Sequence, residues 1–586
     1  MGFFAFFAFI SIFSITYCKP YGKDHNVIQT YFRKTDENNK YIDRSSPDYE
    51  NALAKPFINK ILQSDAGASL KVSPSVIENG GSITIEWLGV NNSTEKDFVA
   101  FYCPPDDIST HFLDYFNVNN SPTWSKGFGK WTVTVYNMRT SCIFKYYRNG
   151  NVSQLVTISN ELSFQGGPLS PLQGHLSLTS NPTEMRVMWV SAEVNGIVMV
   201  RYGTTKALEK TSYKSSMQTY FASDMCEPPA NSSVFIDPGY IYDVLLYDLH
   251  PNTKYYYSYG TEGVSILMSA ILNFTTAIPA GDSTSYKAIF YGDMGVDPYP
   301  EAVTTAKLVH DEVLNNDIKF IYHNGDISYA RGYAYIWEQW FKLVEPYSTL
   351  VPYMVGIGNH EYDHVTGGEK DPSGAPGDGG FRPDWFNGHS DSGGECGVPM
   401  FKRFHMPDTG HSIWWYSYDY GLVHYIMLSS EHDYSPNSKQ YIWLENDLKN
   451  VDRKKTPWVV VGAHRAMYCS ALLPDDYIVA LNMQRLFEDL LYIYKVDLAL
   501  WAHYHSYERT CKVYKNKCQD DGVTHLVIGS AGRSTDPDIW FRKEWSVYHI
   551  NDYGYGKLTV VNSTAMYWEW IQNKSKKVMD SFWLTK

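Results

Sequence analysis

Ala288-Ile-Phe-Tyr-Gly-Asp293 and Ile318-Lys-Phe-Ile-Tyr-His-Asn-Gly-Asp326 open a series in which an apolar run ends in a polar side chain. Tyr353-Met-Val-Gly-Ile-Gly-Asn-His360, Trp458-Val-Val-Val-Gly-Ala-His464 and Asp497-Leu-Ala-Leu-Trp-Ala-His-Tyr-His505 continue it. Such runs read as strands. Helical patterns fall between and beside them, at Tyr299 to Asn315, Ala334 to Tyr347, Ser438 to Asn450 and Ile478 to Lys495, which implies βαβ units. In an open α/β sheet, ligands collect at the carboxyl edge of the strands. Asp293, Asp326, Tyr329, Asn359, His464, His503 and His505 are therefore expected to converge. A Gly before Asp293, Asp326 and Asn359 is expected to let the backbone turn tightly beside an ion. Oxygen and nitrogen donors without sulfur suit Fe, Mn or Zn. Seven donors exceed one tetrahedral ion, so two ions about 3.5–4 Å apart sharing a carboxylate fit better.

Outward from this α/β region, taken as residues 285–545, a C-terminal segment at 546–586 returns to strand-like alternation from Leu558 to Leu584 and is expected to close the second sheet. Upstream, Ser82-Ile-Thr-Ile-Glu-Trp87 and Lys130-Trp-Thr-Val-Thr-Val135 mark a β-sandwich at 66–166. A second unit at 170–279 contains Glu184-Met-Arg-Val-Met-Trp-Val190 and Leu249-His-Pro-Asn-Thr-Lys-Tyr-Tyr-Tyr257, and resembles a fibronectin-type-III sandwich. The expected architecture is thus two N-terminal β-sandwiches followed by an α/β domain. Residues 19–65 are polar and carry no assignable chemistry.

Residues 1–18 contain an apolar stretch and no charged side chain, and read as a secretory leader too short for a comfortable membrane span, with an uncleaved anchor as the alternative. Asn-x-Ser/Thr sequons at Asn91, Asn92, Asn119, Asn151, Asn231, Asn273, Asn562 and Asn573 avoid the stretch that carries the chemistry and agree with a secreted, vesicular or lysosome-like destination. No later apolar run suggests a stable membrane span. Without Cys18, seven cysteines remain. Cys511 with Cys518 and Cys103 with Cys142 are the most credible pairs, and the odd count leaves at least one thiol over. A net charge of −13 argues against nucleic acid as a partner.

Gly292-Asp-Met-Gly295, Gly325-Asp-Ile-Ser-Tyr329, Gly358-Asn-His-Glu361, the run into His464 and Ala502-His-Tyr-His505 resemble the five blocks of the purple acid phosphatases, in the calcineurin-like metallophosphoesterase superfamily. Ser392-Gly-Gly-Glu-Cys-Gly-Val-Pro399 resembles the large plant-type members with an extra N-terminal β domain. The resemblance implies that Asp293, Tyr329 and His505 bind Fe(III), that Asn359, His464 and His503 bind divalent Fe, Zn or Mn, and that Asp326 bridges. It implies an acid phosphatase in which hydroxide generated at the metal pair attacks small phosphate monoesters, with His360 touching phosphate or handling a proton. A nucleotide pyrophosphatase or phosphodiesterase, or a catalytically weak surface module, are the alternatives.

Two departures stand out. Arg465-Ala-Met-Tyr-Cys-Ser470 and Pro474-Asp-Asp-Tyr477 lack the His pair of better-known plant members, so His432 is expected to share in leaving-group protonation and Arg465 in phosphate contact. Ala502 stands where the family usually has Gly. Singly, an Asp before a turn or an isolated His is more often structural; His323 reads as a core residue and Glu508 with Arg509 as a supporting ion pair.

Overall fold

Alternation builds the first unit. In Gly81–Leu88, Ile83, Ile85 and Trp87 are buried while Ser82 and Glu86 are exposed, giving one dry and one wet face. The strand pairs with Ser69–Ser73 and Gly129–Val135, and a second antiparallel sheet is formed by Asp114–Asn117, Phe98–Tyr102, Ile143–Tyr147 and Leu155–Ile158. Trp87 packs against Phe116 and Tyr146 between the two. The computed structural model describes residues 67–586 except 107–110, 193–195, 233, 263–265, 297–298, 363–369 and 376–389, so the expected leader and polar segment lie outside the described residues.

The second unit is again two antiparallel sheets, one built around Met185–Ser191 and Tyr240–Leu246, the other around Ile197–Gly203 and Lys254–Glu262. Trp189 lies between them against Tyr242 and Tyr259. Its core runs on into the α/β part, whereas the first unit keeps a core of its own.

The α/β part has two mixed sheets. The first runs Tyr353–Val355, Ile318–His323, Tyr286–Tyr291, Gly554–Asn562, Ala565–Gln572, Val578–Thr585, parallel across its first three strands and antiparallel beyond. The second contains Tyr416–Tyr420, Val423–Met427, Trp458–Gly462, Leu498–Trp501, Val523–Ile528 and Tyr507–Tyr514, with Ser546–Ile550 on its edge. The C-terminal hairpins therefore extend the sheet begun by Tyr286–Tyr291, not the second one. The reason is register: Tyr286 to Phe290 pair antiparallel with Val560 to Gly556, closing the edge opposite Ile318–His323. Helices form at Pro300–Asn315, Ala334–Ser348, Lys439–Asn450 and Pro474–Ile493. The last starts four residues before its apolar pattern does, with Pro474 at the first helical position, where its missing N–H costs nothing.

Cysteine pairing is Cys103–Cys142, Cys511–Cys518 and a third bond, Cys226–Cys396, with Cys469 free and buried. Glu508 and Arg509 do not pair with each other, because neighbouring residues on a strand point to opposite faces. Arg509 binds Asp580 at 2.7 and 2.9 Å, and Glu508 accepts the Ser470 N–H at 2.7 Å. His323 is fully buried and bonded to the Tyr353 hydroxyl, as a core residue. Among the sequons, Asn573 is buried with its amide donating to Thr305, so the folded protein offers that side chain no access. No helix among the described residues is long and apolar enough to cross a membrane.

One buried polar cluster joins all three parts. Glu338 of helix Ala334–Ser348 accepts from Arg139 at 2.7 and 3.2 Å and from Arg403 at 3.4 Å, and Gln173 bridges Arg403 at 2.6 Å. Removing Glu338 would leave two guanidinium groups buried and unmatched, so Glu338→Ala should lower unfolding free energy by about 3–5 kcal/mol in denaturant titration. A second pair of contacts is pH-dependent. His424 lies between Asp419 and Asp447 at 2.6 and 2.8 Å; burial opposes its charge, but the two carboxylates raise its pKa to about 9. A raised pKa stabilises the fold fully below the unfolded value of about 6.5, and the contribution fades as pH rises through about 9. The shift caps the gain at about 3 kcal/mol, reduced by solvent because Asp419 is 44% exposed. His424→Gln should therefore flatten the loss of Tm between pH 7 and 9.5 and cost most near pH 6.

Candidate metal centre

Both sheets point the carboxyl ends of parallel strands at one crevice. Asp293, Asp326 and Asn359 follow strands of the first sheet, and His464, His503 and His505 follow strands of the second. All seven expected donors come together there. Asp293, Asp326, Tyr329, Asn359 and His464 are each at most 5% exposed, and His503 and His505 are partly buried.

The donors form two overlapping groups, Asp293, Asp326 and His505, and Asp326, His464 and His503, each able to hold an ion and sharing Asp326. Around the first, the Tyr329 hydroxyl lies 3.0 Å from Asp293 Oδ1 and 3.1 Å from His505 Nε2. Around the second, Asn359 Oδ1 lies 3.1 Å from His464 Nε2 and 3.0 Å from His503 Nδ1, and His464 Nε2 lies 3.3 Å from Asp326 Oδ1.

The local backbone pays for this convergence in strain. Asp293, Asp326, Tyr329 and His503 all have φ between 50 and 69°, a left-handed conformation that costs a non-glycine residue of order 1–3 kcal/mol. Of the three preceding glycines only Gly325 is left-handed, at φ 82°. Gly358 matters for closeness: a Cβ there would sit 2.1 Å from Asp326 Oδ1. At Gly292 a Cβ would sit 2.5 Å from the Ala502 methyl, so Gly292 leaves the space that Ala502 occupies.

The surroundings orient each donor. His464 Nδ1 faces the Asn324 carbonyl at 3.0 Å and His505 Nδ1 the Ser534 carbonyl at 2.6 Å. A ring nitrogen facing a backbone carbonyl carries hydrogen, so Nε2 of either ring, when neutral, is left to offer its lone pair inward. Asn359 donates its amide to Asp391 at 3.1 Å, which aims its oxygen inward. Glu361 accepts the N–H groups of Asp326, Ile327 and Gly358 at 2.8, 2.7 and 3.1 Å and so ties two donor loops together. Burial, then the Asp326 charge, push its pKa up to about 8.

Charge follows from the same geometry. Burial opposes a charge on His464, yet Asp326 and Asp293 lift its pKa to about 10. Burial would raise Asp326, but His464 and His360 hold it well below the ordinary carboxylate range. Two buried carboxylates with no Lys or Arg among the seven require positive charge beside them, from a protonated His464 or from bound cations. The donor chemistry fits a pair of borderline-hard cations.

His360 lies at the rim, its Nδ1 2.9 Å from the Asp391 carbonyl and its Nε2 3.7 Å from Asp326. Arg465 is held by Glu431 at 2.9 and 3.1 Å and reaches His503 Nε2 at 3.2 Å. His432 does not join the donors: its ring is stacked 4.2 Å from Tyr362, flanked by Trp414 and Trp415, and its Nδ1 meets Ser429 at 2.8 Å. Sequence reading missed Asp391, Glu431, Asp476 and the loop-tying part of Glu361; the available signals were the recognised block around Glu361 and the helix-starting Pro474 before Asp476.

Comparison with known proteins agrees with this geometry. Residues 171–276 match the family described as purple acid phosphatase N-terminal domain, 286–507 calcineurin-like phosphoesterase, and 522–581 iron/zinc purple acid phosphatase-like protein C. An Arabidopsis thaliana protein named "probable inactive purple acid phosphatase 9" is 34% identical over 88% of this chain and 85% of its own. A Hordeum vulgare protein named nucleotide pyrophosphatase/phosphodiesterase is 31% identical over 54% of this chain and 88% of its own. The solved structure of a purple acid phosphatase from yellow lupin (Lupinus luteus) seeds superposes with a TM-score of 0.77 at 27% identity, covering 89% of this chain and 96% of that one. Two β-sandwiches, an α/β metallophosphoesterase sandwich and a shared-carboxylate donor cluster thus belong to a member of the purple acid phosphatase family.

Proposed function

We propose that this protein hydrolyses small phosphate monoesters at a dinuclear centre. The observation that carries the reading is the pair of donor groups sharing Asp326. Asp293, Tyr329 and His505 would hold Fe(III), Asn359, His464 and His503 a divalent Fe, Zn or Mn, with Asp326 between them. Such a pair supplies Lewis acidity to a phosphoryl oxygen and acidifies water toward hydroxide. The chain's own part is to exclude bulk water from the buried carboxylates, to orient the donors through Asp391, Glu361 and backbone carbonyls, and to present His360 and Arg331 at the rim. Arg331 Nη2 lies 3.4 Å from His360 Nε2, so a phosphate dianion would meet a guanidinium beside a neutral ring. Hydrolysis forms a phosphorus–oxygen bond from water, breaks the ester phosphorus–oxygen bond and leaves a proton of that water on the leaving oxygen.

Two observations support a weaker catalyst. The relative noted from Arabidopsis is named "probable inactive", and no His stands in the run after Arg465. The enclosure of His432 by three aromatic rings favours packing over proton delivery. A secretory route fits the three disulfides, which persist in oxidising compartments.

Metal analysis with a visible spectrum tests the centre: two metal equivalents including iron, and a tyrosinate charge-transfer band lost in Tyr329→Phe, are expected, and iron-free colourless protein would overturn it. With the metals loaded, p-nitrophenyl phosphate should turn over faster than its bis ester or ATP, and Asp326→Asn should cost more than about 100-fold in kcat/KM. No turnover of any of these substrates would favour the binding module. His432→Ala should lower unfolding free energy by about 2 kcal/mol or more and leave the dependence of kcat/KM on leaving-group pKa unchanged. A selective loss with poor leaving groups would restore it to proton delivery.

A further inference from the structure

We infer that Asp476 is a positioning residue for the metal pair: it holds the proton of His503 on Nε2 so that Nδ1 offers its lone pair inward. The inference rests on the dinuclear reading above. It concerns a residue in the run Pro474-Asp-Asp-Tyr477, which departs from the better-known plant pattern by lacking His.

His503 differs from the other two histidines. His464 and His505 each place their outer nitrogen on a backbone carbonyl, whereas the outer Nε2 of His503 lies 2.8 Å from a carboxylate, Asp476 Oδ1. Its inner Nδ1 lies 3.0 Å from Asn359 Oδ1 and 3.2 Å from His464 Nε2, inside the donor group. Two tautomers are open to a neutral ring. With hydrogen on Nδ1, the bare Nε2 would face the Asp476 oxygen, lone pair against lone pair. With hydrogen on Nε2, the ring donates to Asp476 and Nδ1 is free to coordinate. Asp476 therefore selects the coordinating form.

Arg465 Nη1 also approaches Nε2, at 3.2 Å, but one ring nitrogen cannot donate to the carboxylate and accept from the guanidinium together. The carboxylate is closer. Arg465 already has Glu431 at 2.9 and 3.1 Å, and its Nη1 lies 3.4 Å from Asp476 Oδ1. Arg465 thus fixes Asp476, not the ring, in an order Glu431, Arg465, Asp476, His503. The helix adds to it: Asp476 stands in the first turn of Pro474–Ile493, where N–H groups and the macrodipole favour a carboxylate.

The test uses the full chain, Asp476→Asn and Asp476→Glu, stripped of metal and titrated with Zn²⁺ against a chromogenic chelator. Wild type should bind two equivalents; if it binds none with competitive affinity, the dinuclear reading falls, not the role of Asp476 alone. Asp476→Asn should weaken one equivalent 10–100-fold and leave the other and Tm unchanged, with partial recovery in Asp476→Glu. Both equivalents unchanged, or both weakened along with Tm, would overturn the inference. ¹⁵N-histidine NMR of the unmutated metal-free protein gives a reading independent of variant folding: His503 should carry hydrogen on Nε2, and a ring protonated on Nδ1 alone would overturn it.

Discussion

The Asp326 carboxylate, 1% exposed and common to both donor groups, is the constraint from which the rest of the centre follows. A buried anion is tolerated only with matching positive charge and hydrogen bonds. His464 and the His360 backbone N–H, 3.0 Å from Oδ1, supply part of that from the protein itself. The rest of the requirement shapes the backbone: Asp326 is left-handed, Gly358 has no Cβ because one would overlap the carboxylate, and Glu361 clamps both loops from behind. Strain of this kind survives only where the surrounding packing over-determines it.

Packing of that rigidity comes from the two sheets. The strands leading to Asp293, Asp326 and Asn359 belong to one sheet and those leading to His464 and His503 to the other, so the donors meet only while the sheets stay in register. Contacts between the sheets are aromatic and hydrogen-bonded: Tyr322 reaches the Ile426 carbonyl, and Tyr286 reaches Tyr425 and the Tyr420 carbonyl. Phenols carry both apolar area and a polar tip into a core, which gives the high Tyr content a structural use.

Strand ends were legible because each block repeats the same pattern, and a buried strand that runs out at a ligand needs no tertiary information to be noticed. His503 and His505 were legible as neighbours for the same reason. Partners contributed from a distance were not. Asp476 reaches His503 only because the helix begins at Pro474, while the apolar period that marks a helix starts at Ile478. Proline at a first helical position was the available signal. Cys226 and Cys396 lie 170 residues apart, and no spacing argument selects that pair. The C-terminal hairpins alternate equally well on either sheet; only the register of Tyr286–Tyr291 with Gly554–Asn562 decides.

Holding metal and expelling a leaving group are separable demands on one crevice. The first needs converging lone pairs, and the seven candidate donors converge on one crevice. The second needs a proton on the side where the ester oxygen departs. Past His464 this chain has Arg465 and Asp476, committed to Glu431, His503 and each other. An arginine cannot give up its proton, and a carboxylate accepting from His503 has none to give. Neither residue can therefore serve the protonation step that the proposed hydrolysis would need. The acidity of the chain as a whole, −13, does not bear on this, since the field at the crevice is set by what lies within a few ångströms of Asp326.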